Sequence, residues 1–133
     1  MRMQKVRRTL ADYDALPERT KADFIEGELV MAPPPTPWHE QLLMRLVHEV
    51  AAALGDRWDR RVFVSHLEIR VAGEAAQPDL VVLPDGTRAT GPDWKPPMPV
   101  FAAEILSPST ESHDRGAKLR FFTRAGVPEA WII

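Results

Sequence analysis

Glu104 is the residue in this chain whose type conflicts most with its surroundings. It interrupts an apolar run, residues 100–106, that lies between Pro99 and Pro108. Such a run between prolines is typical of a buried strand. An ionised carboxylate in a buried strand is costly unless another group compensates its charge. Glu104 therefore either points out of the core or meets a cation.

Asp79 and Lys118 are the residues that could complete a site with Glu104. Asp79 opens the buried strand predicted in "QPDLVV", and Lys118 lies on the helix that follows the Glu104 strand. If the two strands are neighbours, both carboxylates approach one point, where they repel unless a proton or a divalent cation intervenes. Magnesium prefers such oxygen ligands and keeps several waters. A nearby lysine can orient or deprotonate the water, so the set suits hydrolysis of a phosphodiester.

Each candidate residue also has a simpler interpretation. A Pro-Asp dipeptide such as the one containing Asp79 is common where a turn enters a strand. Lys118 could extend along the surface or pair with Asp114 at i,i+4. His39 could satisfy local backbone at the start of its helix, while Asp23 and Glu26 flank the hairpin and turn chemistry explains Glu26. The order of Asp79, Glu104 and Lys118 together is more specific than any one of them.

Composition places the chain among globular proteins. Apolar residues make up 44%, charged residues 27%, and the net charge is −2, so nucleic acid could be bound only through a local patch. The absence of cysteine excludes disulfides and thiolate metal sites. No signal peptide or membrane span is visible, so a cytoplasmic location is expected.

The length predicts one domain over residues 1–133. The chain ends on Ile133 in an apolar strand without a polar tail. This ending suggests a domain truncated at its C-terminus, or a sheet edge that another chain completes.

Periodicity and turn residues predict an α/β (α+β) fold with a mixed sheet and helices packed against it. Glu26-Gly27 indicates a hairpin, and Thr36, Pro37 and Gly55 delimit the clearest helix. Asp114 or Ser112 is expected to cap the last helix, which Gly126 ends. The predicted elements, in order, are a short helix in "TLADYDALPE", a hairpin in "DFIEGELVM", a helix in "TPWHEQLLMRLVHEVAAALG", a strand in "RVFVSHLEIRV" with a bulge near residues 65–66, a strand in "QPDLVVLP", a long loop over residues 84–98, the Glu104 strand, a helix in "DRGAKLRFFTRAG" and a strand in "EAWII".

Three segments carry a resemblance to a known family: "DFIEGELVMAPPPTPWHEQLL", "QPDLVVLP" and "AAEILSPSTESHDRGAKLRFFTRAGVPEAWII". From about Asp23 to the last residue, the sequence resembles the Uma-two family of restriction-endonuclease-like proteins, which have the PD-(D/E)XK fold. The resemblance implies a mixed β-sheet flanked by helices and a metal-dependent nuclease-type site.

The resemblance assigns roles to three residues. Asp79 matches the acid of the Pro-Asp motif and Glu104 the second acid, so both would hold the metal, with the backbone carbonyl of Ile105 as a further ligand. Leu106 stands where the superfamily's lysine is usual. The lysine of this family is displaced to the next helix, where Lys118 matches it.

Accessory positions follow from the same resemblance. Asp23 takes the place of a family glutamate before the hairpin, His39 matches a family histidine, and Asp114 matches a spaced aspartate. Asp23 is shorter than the glutamate it replaces, which weakens the expectation of a metal or water contact there. The segment that usually follows the last strand is absent from this sequence.

The resulting hypothesis is a cytoplasmic endonuclease that hydrolyses DNA phosphodiester bonds with Mg²⁺ or Mn²⁺. A homodimer is expected, because cutting both strands of a duplex favours two sites. The main alternative is a catalytically inactive module on the same fold that binds nucleic acid or protein. A third is a metal-dependent hydrolase of nucleotides or other phosphate esters.

Overall fold

The computed structural model describes residues 4–64 and 67–133. In this part of the chain, nine strands form two sheets, and four helices pack on them. The elements are β1 (Gln4–Arg7), α1 (Leu10–Asp14), β2 (Ala22–Ile25), β3 (Glu28–Met31), α2 (Pro37–Leu54), a 3₁₀ turn (Trp58–Arg60), β4 (Val62–Val64), β5 (Ile69–Val71), β6 (Glu74–Ala76), β7 (Leu80–Val82), β8 (Phe101–Glu104), α3 (Glu111–His113), a π-helical turn (Asp114–Lys118), α4 (Leu119–Ala125) and β9 (Glu129–Ile132).

The strands form one antiparallel and one mixed sheet. The first sheet has the order β1-β3-β2-β6-β5, and the second has the order β4-β7-β8-β9. All described pairs are antiparallel except β8 with β9, which run parallel. The predicted fold class, α+β with a mixed sheet flanked by helices, is confirmed.

The hairpin between β2 and β3 forms where the sequence predicts it. Glu26 and Gly27 are its two turn residues, with φ angles of 54° and 77°. Positive φ at both central positions matches the right-handed twist of the strands. The hairpin places Asp23, in the middle of β2, in the interior of the molecule.

Helix α2 begins and ends as its sequence predicts. The Thr36 hydroxyl accepts a hydrogen bond from the His39 N–H at 3.1 Å, Pro37 occupies the first turn, and Gly55 closes the helix. The apolar side of α2 packs on one face of the second sheet. That layer contains Leu42, Leu43, Leu46, Val47, Val50 and Leu54 from the helix, and Leu80, Val82, Phe101, Ala103 and Ile105 from β7, β8 and the residue after β8.

The opposite face of the second sheet is covered by α4. Val81 and Ala102 pack there with Phe121 and Phe122, each about 1% exposed or less. Full burial of one such phenylalanine stabilises the fold by roughly 1.5–3 kcal/mol. Because side chains alternate along a strand, Glu104 shares the side of Ala102 and faces the helices that contain Lys118.

The stretch predicted as a single strand over residues 61–71 is two strands. β4 pairs with β7 in the second sheet, whereas β5 pairs with β6 in the first. Alternating apolar residues fit both halves, so the pattern alone does not reveal that the chain changes sheet between them. The bulge expected near residues 65–66 lies outside the described residues.

Other predicted boundaries need smaller corrections. The last helical region begins at Glu111 after Thr110, so neither Asp114 nor Ser112 caps it. Both lie inside the helical region, and Asp114 is buried. Gly126 does end α4 with a φ of 84°. Strands β1 and β6 were not predicted.

No helix within residues 4–64 and 67–133 is long and apolar enough to cross a membrane.

Candidate active site

The pairing of β7 with β8 brings the two candidate acids together. Leu80 lies opposite Ala103 in this antiparallel pair. Continuing the register by one residue places Asp79 opposite Glu104. The Ile105 N–H donates a hydrogen bond of 2.7 Å to Oδ2 of Asp79, which fixes this carboxylate at the end of the strands. The two strands are thus neighbours, and Asp79 and Glu104 lie opposite each other at their ends.

Lys118 is the cation that Glu104 meets. Its ammonium forms an ion pair with Oε1 of Glu104 and a second one, 3.0 Å long, with Oδ2 of Asp23. Nζ also lies 3.4 Å from the carbonyl oxygen of Gln77. Lys118 and Glu104 are each 3% exposed, so this is a buried ion pair. A solvated stem, the first of the simpler interpretations of Lys118, does not fit this burial.

The π-helical turn determines how Lys118 reaches these partners. His113 and Lys118, five residues apart, both contact Oδ2 of Asp23, at 2.8 Å and 3.0 Å. In a regular α-helix residues five apart point about 140° away from each other. The π turn from Asp114 to Lys118, with its wider i→i+5 bonding, brings the two side chains onto one side.

Asp23 is the anion at the centre of this buried network. Its Oδ1 accepts a hydrogen bond of 2.9 Å from the Gln77 N–H, and its Oδ2 contacts His113 and Lys118. Burial raises the pKa of Asp23, but Lys118, His113 and the Gln77 N–H outweigh burial and lower this pKa to about 2. Asp23 therefore carries its charge at neutral pH and positions Lys118.

Asp79 has partners on both of its oxygens. Oδ1 forms an ion pair with the ammonium of Lys21, and Oδ2 lies 3.3 Å from Nε2 of His39 in addition to the Ile105 N–H. Burial acts to raise the pKa of Asp79, but the His39 contact and the charge of Lys21 hold it well below its usual range. Asp79 is therefore an anion in this structure.

Glu104 and Asp114 have the opposite tendency. Burial raises the pKa of Glu104 well above its usual range, and the nearby charge of Asp79 adds to this effect, while Lys118 acts against it. Burial also raises the pKa of Asp114. Burial acts to lower the pKa of Lys118, but Asp23, Glu104 and Asp114 together raise it above its usual range. Lys118 thus stays protonated at neutral pH.

These groups line one cavity of about 520 Å³. Asp79, Glu104 and Lys118 line it, together with the proline loop over residues 32–36 and the loop over residues 107–110. Arg19 and Lys21 also line it. The Nδ1 atom of His39 is buried without a hydrogen-bond partner among the described residues. An unpaired buried polar atom beside a cavity is expected where a water or ligand completes the site.

The donor set fits a magnesium-like ion better than a zinc-like one. Within residues 4–64 and 67–133, no three or more His, Asp or Glu side chains are grouped to hold a metal ion. Two carboxylates from neighbouring strands, those of Asp79 and Glu104, do line the same cavity. Magnesium is commonly held by one or two carboxylates and keeps several waters. The two acids are thus a ligand set of the kind that magnesium uses, and they are too few for an all-protein cage.

All five residues singled out in the sequence, Asp23, His39, Asp79, Glu104 and Lys118, line this cavity. Lys21, Gln77 and His113 belong to the same network, and of these Lys21 and Gln77 were not predicted near the site. Lys21 precedes Asp23 by two residues, so the period of a strand already places both side chains on one side. The contacts of Gln77 and His113 depend on the link from β6 to β7 and on the π turn, for which the sequence has no clear signal.

Trp94, in the loop before β8, packs beside Phe63 with ring centroids 6.2 Å apart.

Comparison with known proteins gives three findings. The family model Uma2, described as "Putative restriction endonuclease", matches residues 10–133. "Uncharacterized protein sll1609" of Synechocystis sp. is 27% identical over 119 residues, which cover 86% of this chain and 67% of that protein. The crystal structure of "a putative nuclease belonging to DUF820" from Anabaena variabilis matches with a TM-score of 0.74 at 20% identity, over 95% of this chain and 73% of the other. At that identity, the structural match establishes the fold.

Proposed function

The chain belongs to the Uma2 family of restriction-endonuclease-like proteins, and from this premise we propose that it is a metal-dependent endonuclease that hydrolyses DNA phosphodiester bonds. One observation carries the proposal: Asp79, Glu104 and Lys118 line the same cavity. Mg²⁺ or Mn²⁺ is the proposed cofactor, held by Asp79 and Glu104. A homodimer and a cytoplasmic location stay predictions from the sequence.

In this proposal the two acids would hold the cation. The Ile105 N–H keeps the Asp79 carboxylate at the end of β7, and the adjoining β8 supplies Glu104. When bound, the divalent cation supplies Lewis-acid chemistry: it neutralises charge on the phosphate and makes the attacking water more acidic. The Ile105 carbonyl is the further ligand that the family resemblance implies.

Lys118 acts in this proposal as a hydrogen-bond donor and a fixed positive charge. Asp23 and Glu104 raise its pKa above the usual range, so it does not accept a proton at neutral pH. Of the two roles expected from the sequence, orienting the water or deprotonating it, the electrostatics favour orienting. Asp23, held by His113 and the Gln77 N–H, fixes the ammonium in place.

A second candidate function is a binding module that uses the same cavity without catalysis. The observation that favours it is the pairing of both acids with lysines, Asp79 with Lys21 and Glu104 with Lys118. Such internal pairs neutralise the carboxylates that a catalytic cation would need. Nuclease activity and simple binding differ in one measurable respect, which is breakage of the DNA backbone.

The test is cleavage of supercoiled plasmid and of single-stranded DNA with Mg²⁺, with Mn²⁺ and with a chelator. Asp79→Asn and Glu104→Gln keep the size of the side chains, and Asp85→Asn, on an exposed loop residue, is the matched control. We expect metal-dependent cleavage by the wild type and the control, and a loss of at least about 100-fold in the two site variants, because even residues that only support metal ligands contribute 10–100-fold.

Other outcomes point away from this function. If the folded wild type binds DNA in a fluorescence anisotropy assay but cuts neither substrate, the binding module is the better interpretation. If Asp79→Asn and Glu104→Gln cut as fast as the control, the nuclease site is elsewhere.

A further inference from the structure

The Asp79 carboxylate has no free oxygen in this structure. Lys21 pairs with Oδ1, while Oδ2 accepts the Ile105 N–H at 2.7 Å and lies 3.3 Å from Nε2 of His39. Asp79 is also only 3% exposed. Oδ1 is therefore the oxygen with room for a further ligand, and a cation that binds there meets the like charge of the Lys21 ammonium.

Lys21 is the partner that can leave. The Ile105 N–H belongs to backbone at the end of β8, and His39 lies in the first turn of a long helix. The Lys21 side chain is a flexible four-carbon stem, 22% exposed, on a residue just before β2. Among the described residues, its ammonium has no ion-pair or hydrogen-bond partner other than Asp79. Lys118 differs, because it is 3% exposed and has two carboxylate partners.

The charges of Asp79 and Glu104 explain why a lysine lies beside Asp79. Without a cation, Asp79 and Glu104 face each other in a buried position, and the charge of Asp79 already raises the pKa of Glu104. The ammonium of Lys21 offsets this repulsion and favours the charged form of Asp79. In the metal-free protein Lys21 thus compensates the charge of Asp79, as a divalent cation would in the metal-bound protein.

We propose that Lys21 is an internal counter-ion of Asp79 that a divalent cation displaces when it binds. The inference rests on the proposed metal site. The displaced ammonium stays tethered at the mouth of the cavity, where it is placed to pair with a phosphate oxygen of the substrate. Lys21 is then a positioning residue. It competes with the metal for Asp79, and after displacement its ammonium pairs with a substrate phosphate instead of the carboxylate.

Metal binding without substrate tests this idea. Isothermal titration with Mn²⁺ at pH 7.5 would compare the wild type with Lys21→Met and with Arg19→Met. Arg19 is the matched control, since it is an exposed cation lining the same cavity and has no ion pair in the described residues. We expect Lys21→Met to bind Mn²⁺ about tenfold more tightly, the lower end of what one opposite charge does to a carboxylate's affinity for a proton. Arg19→Met should stay near the wild-type value.

Thermal unfolding supplies a second readout. Without metal, Lys21→Met should melt at a lower temperature than the wild type, because Asp79 loses its counter-ion. Added Mn²⁺ should then raise its melting temperature more than that of the wild type, since tighter binding gives a larger stabilisation. Lys21→Gln, which keeps a hydrogen-bond donor but no charge, replaces Lys21→Met if the latter does not fold.

The outcomes separate this inference from the proposed function. Mn²⁺ binding that Asp79→Asn abolishes, but that Lys21→Met leaves equal or weaker, overturns the counter-ion role and leaves the metal site standing. If neither the folded wild type nor folded Lys21→Met binds Mn²⁺, the proposed metal site itself is wrong and the inference falls with it.

Discussion

Replacing Lys118 by methionine should destabilise the protein strongly, because it leaves two buried carboxyl groups without their shared cation. Lys118 is 3% exposed and lies 3.0 Å from Asp23, with Glu104 also paired to it. Removing one partner of a buried ion pair costs about 3–5 kcal/mol. Asp23 retains His113 and the Gln77 N–H, so we expect the lower end, about 3 kcal/mol at pH 8.

The loss of stability in Lys118→Met should increase as the pH rises. In Lys118→Met, Glu104 lacks its cation, and burial already raises the pKa of this residue. A carboxyl group whose pKa is higher in the folded than in the unfolded state favours folding less as the pH rises through that range. The free-energy difference between variant and wild type should therefore be smaller at pH 5 than at pH 8.

Urea unfolding followed by circular dichroism at pH 5 and pH 8 measures these differences. Arg120→Met is the control, since the Arg120–Glu26 pair is on the surface and its removal should change stability little. Lys118→Met combined with Glu104→Gln should recover part of the loss, because the unpaired acid is gone. If Lys118→Met costs no more than Arg120→Met at pH 8, the view of Lys118 as the buried counter-ion is refuted.

Two further predictions concern neighbouring residues. The pKa of Asp23 is lowered to about 2 in the folded protein, so its stabilising contribution is complete above about pH 4 and is lost as the pH falls toward 2. Over that interval, the free energy of unfolding measured with urea should fall by about 2 kcal/mol more for the wild type than for Asp23→Asn. An equal fall in both proteins would contradict the lowered pKa of Asp23. His39→Ala removes the Nε2 contact to Asp79 and should weaken Mn²⁺ binding about 10–100-fold in a calorimetric titration, with an unchanged circular dichroism spectrum. Unchanged affinity would show that His39 does not support the carboxylate.

Local chemistry explains which parts of the fold could be predicted from the sequence. Thr36-Pro37 and Gly55 mark the ends of α2 through backbone requirements that hold in any fold. Glu26-Gly27 likewise specifies a two-residue hairpin. The division of residues 62–71 between two sheets depends on long-range pairing, which an alternating pattern does not encode.

The candidate site likewise contains some residues that could be recognised from the sequence and some contacts that could not. Glu104 could be recognised because a carboxylate inside an apolar run requires a partner, and that partner is Lys118. Lys21 was missed because a lysine next to a predicted strand is usually solvated. The shared contact of His113 and Lys118 with Asp23 needs a helix geometry that periodicity of 3.6 residues does not anticipate.

The π-helical turn from Asp114 to Lys118 also affects how this chain should be aligned with its relatives. A single wide turn shifts the phase of everything that follows it by about one residue, roughly 100° around the helix axis. A homologue with an uninterrupted α-helix here would present a lysine to the cavity only with different spacing from the buried histidine. Alignments that force a gap-free match across this helix would therefore pair residues that face different directions, and a one-residue gap near Gly116 would restore the correspondence.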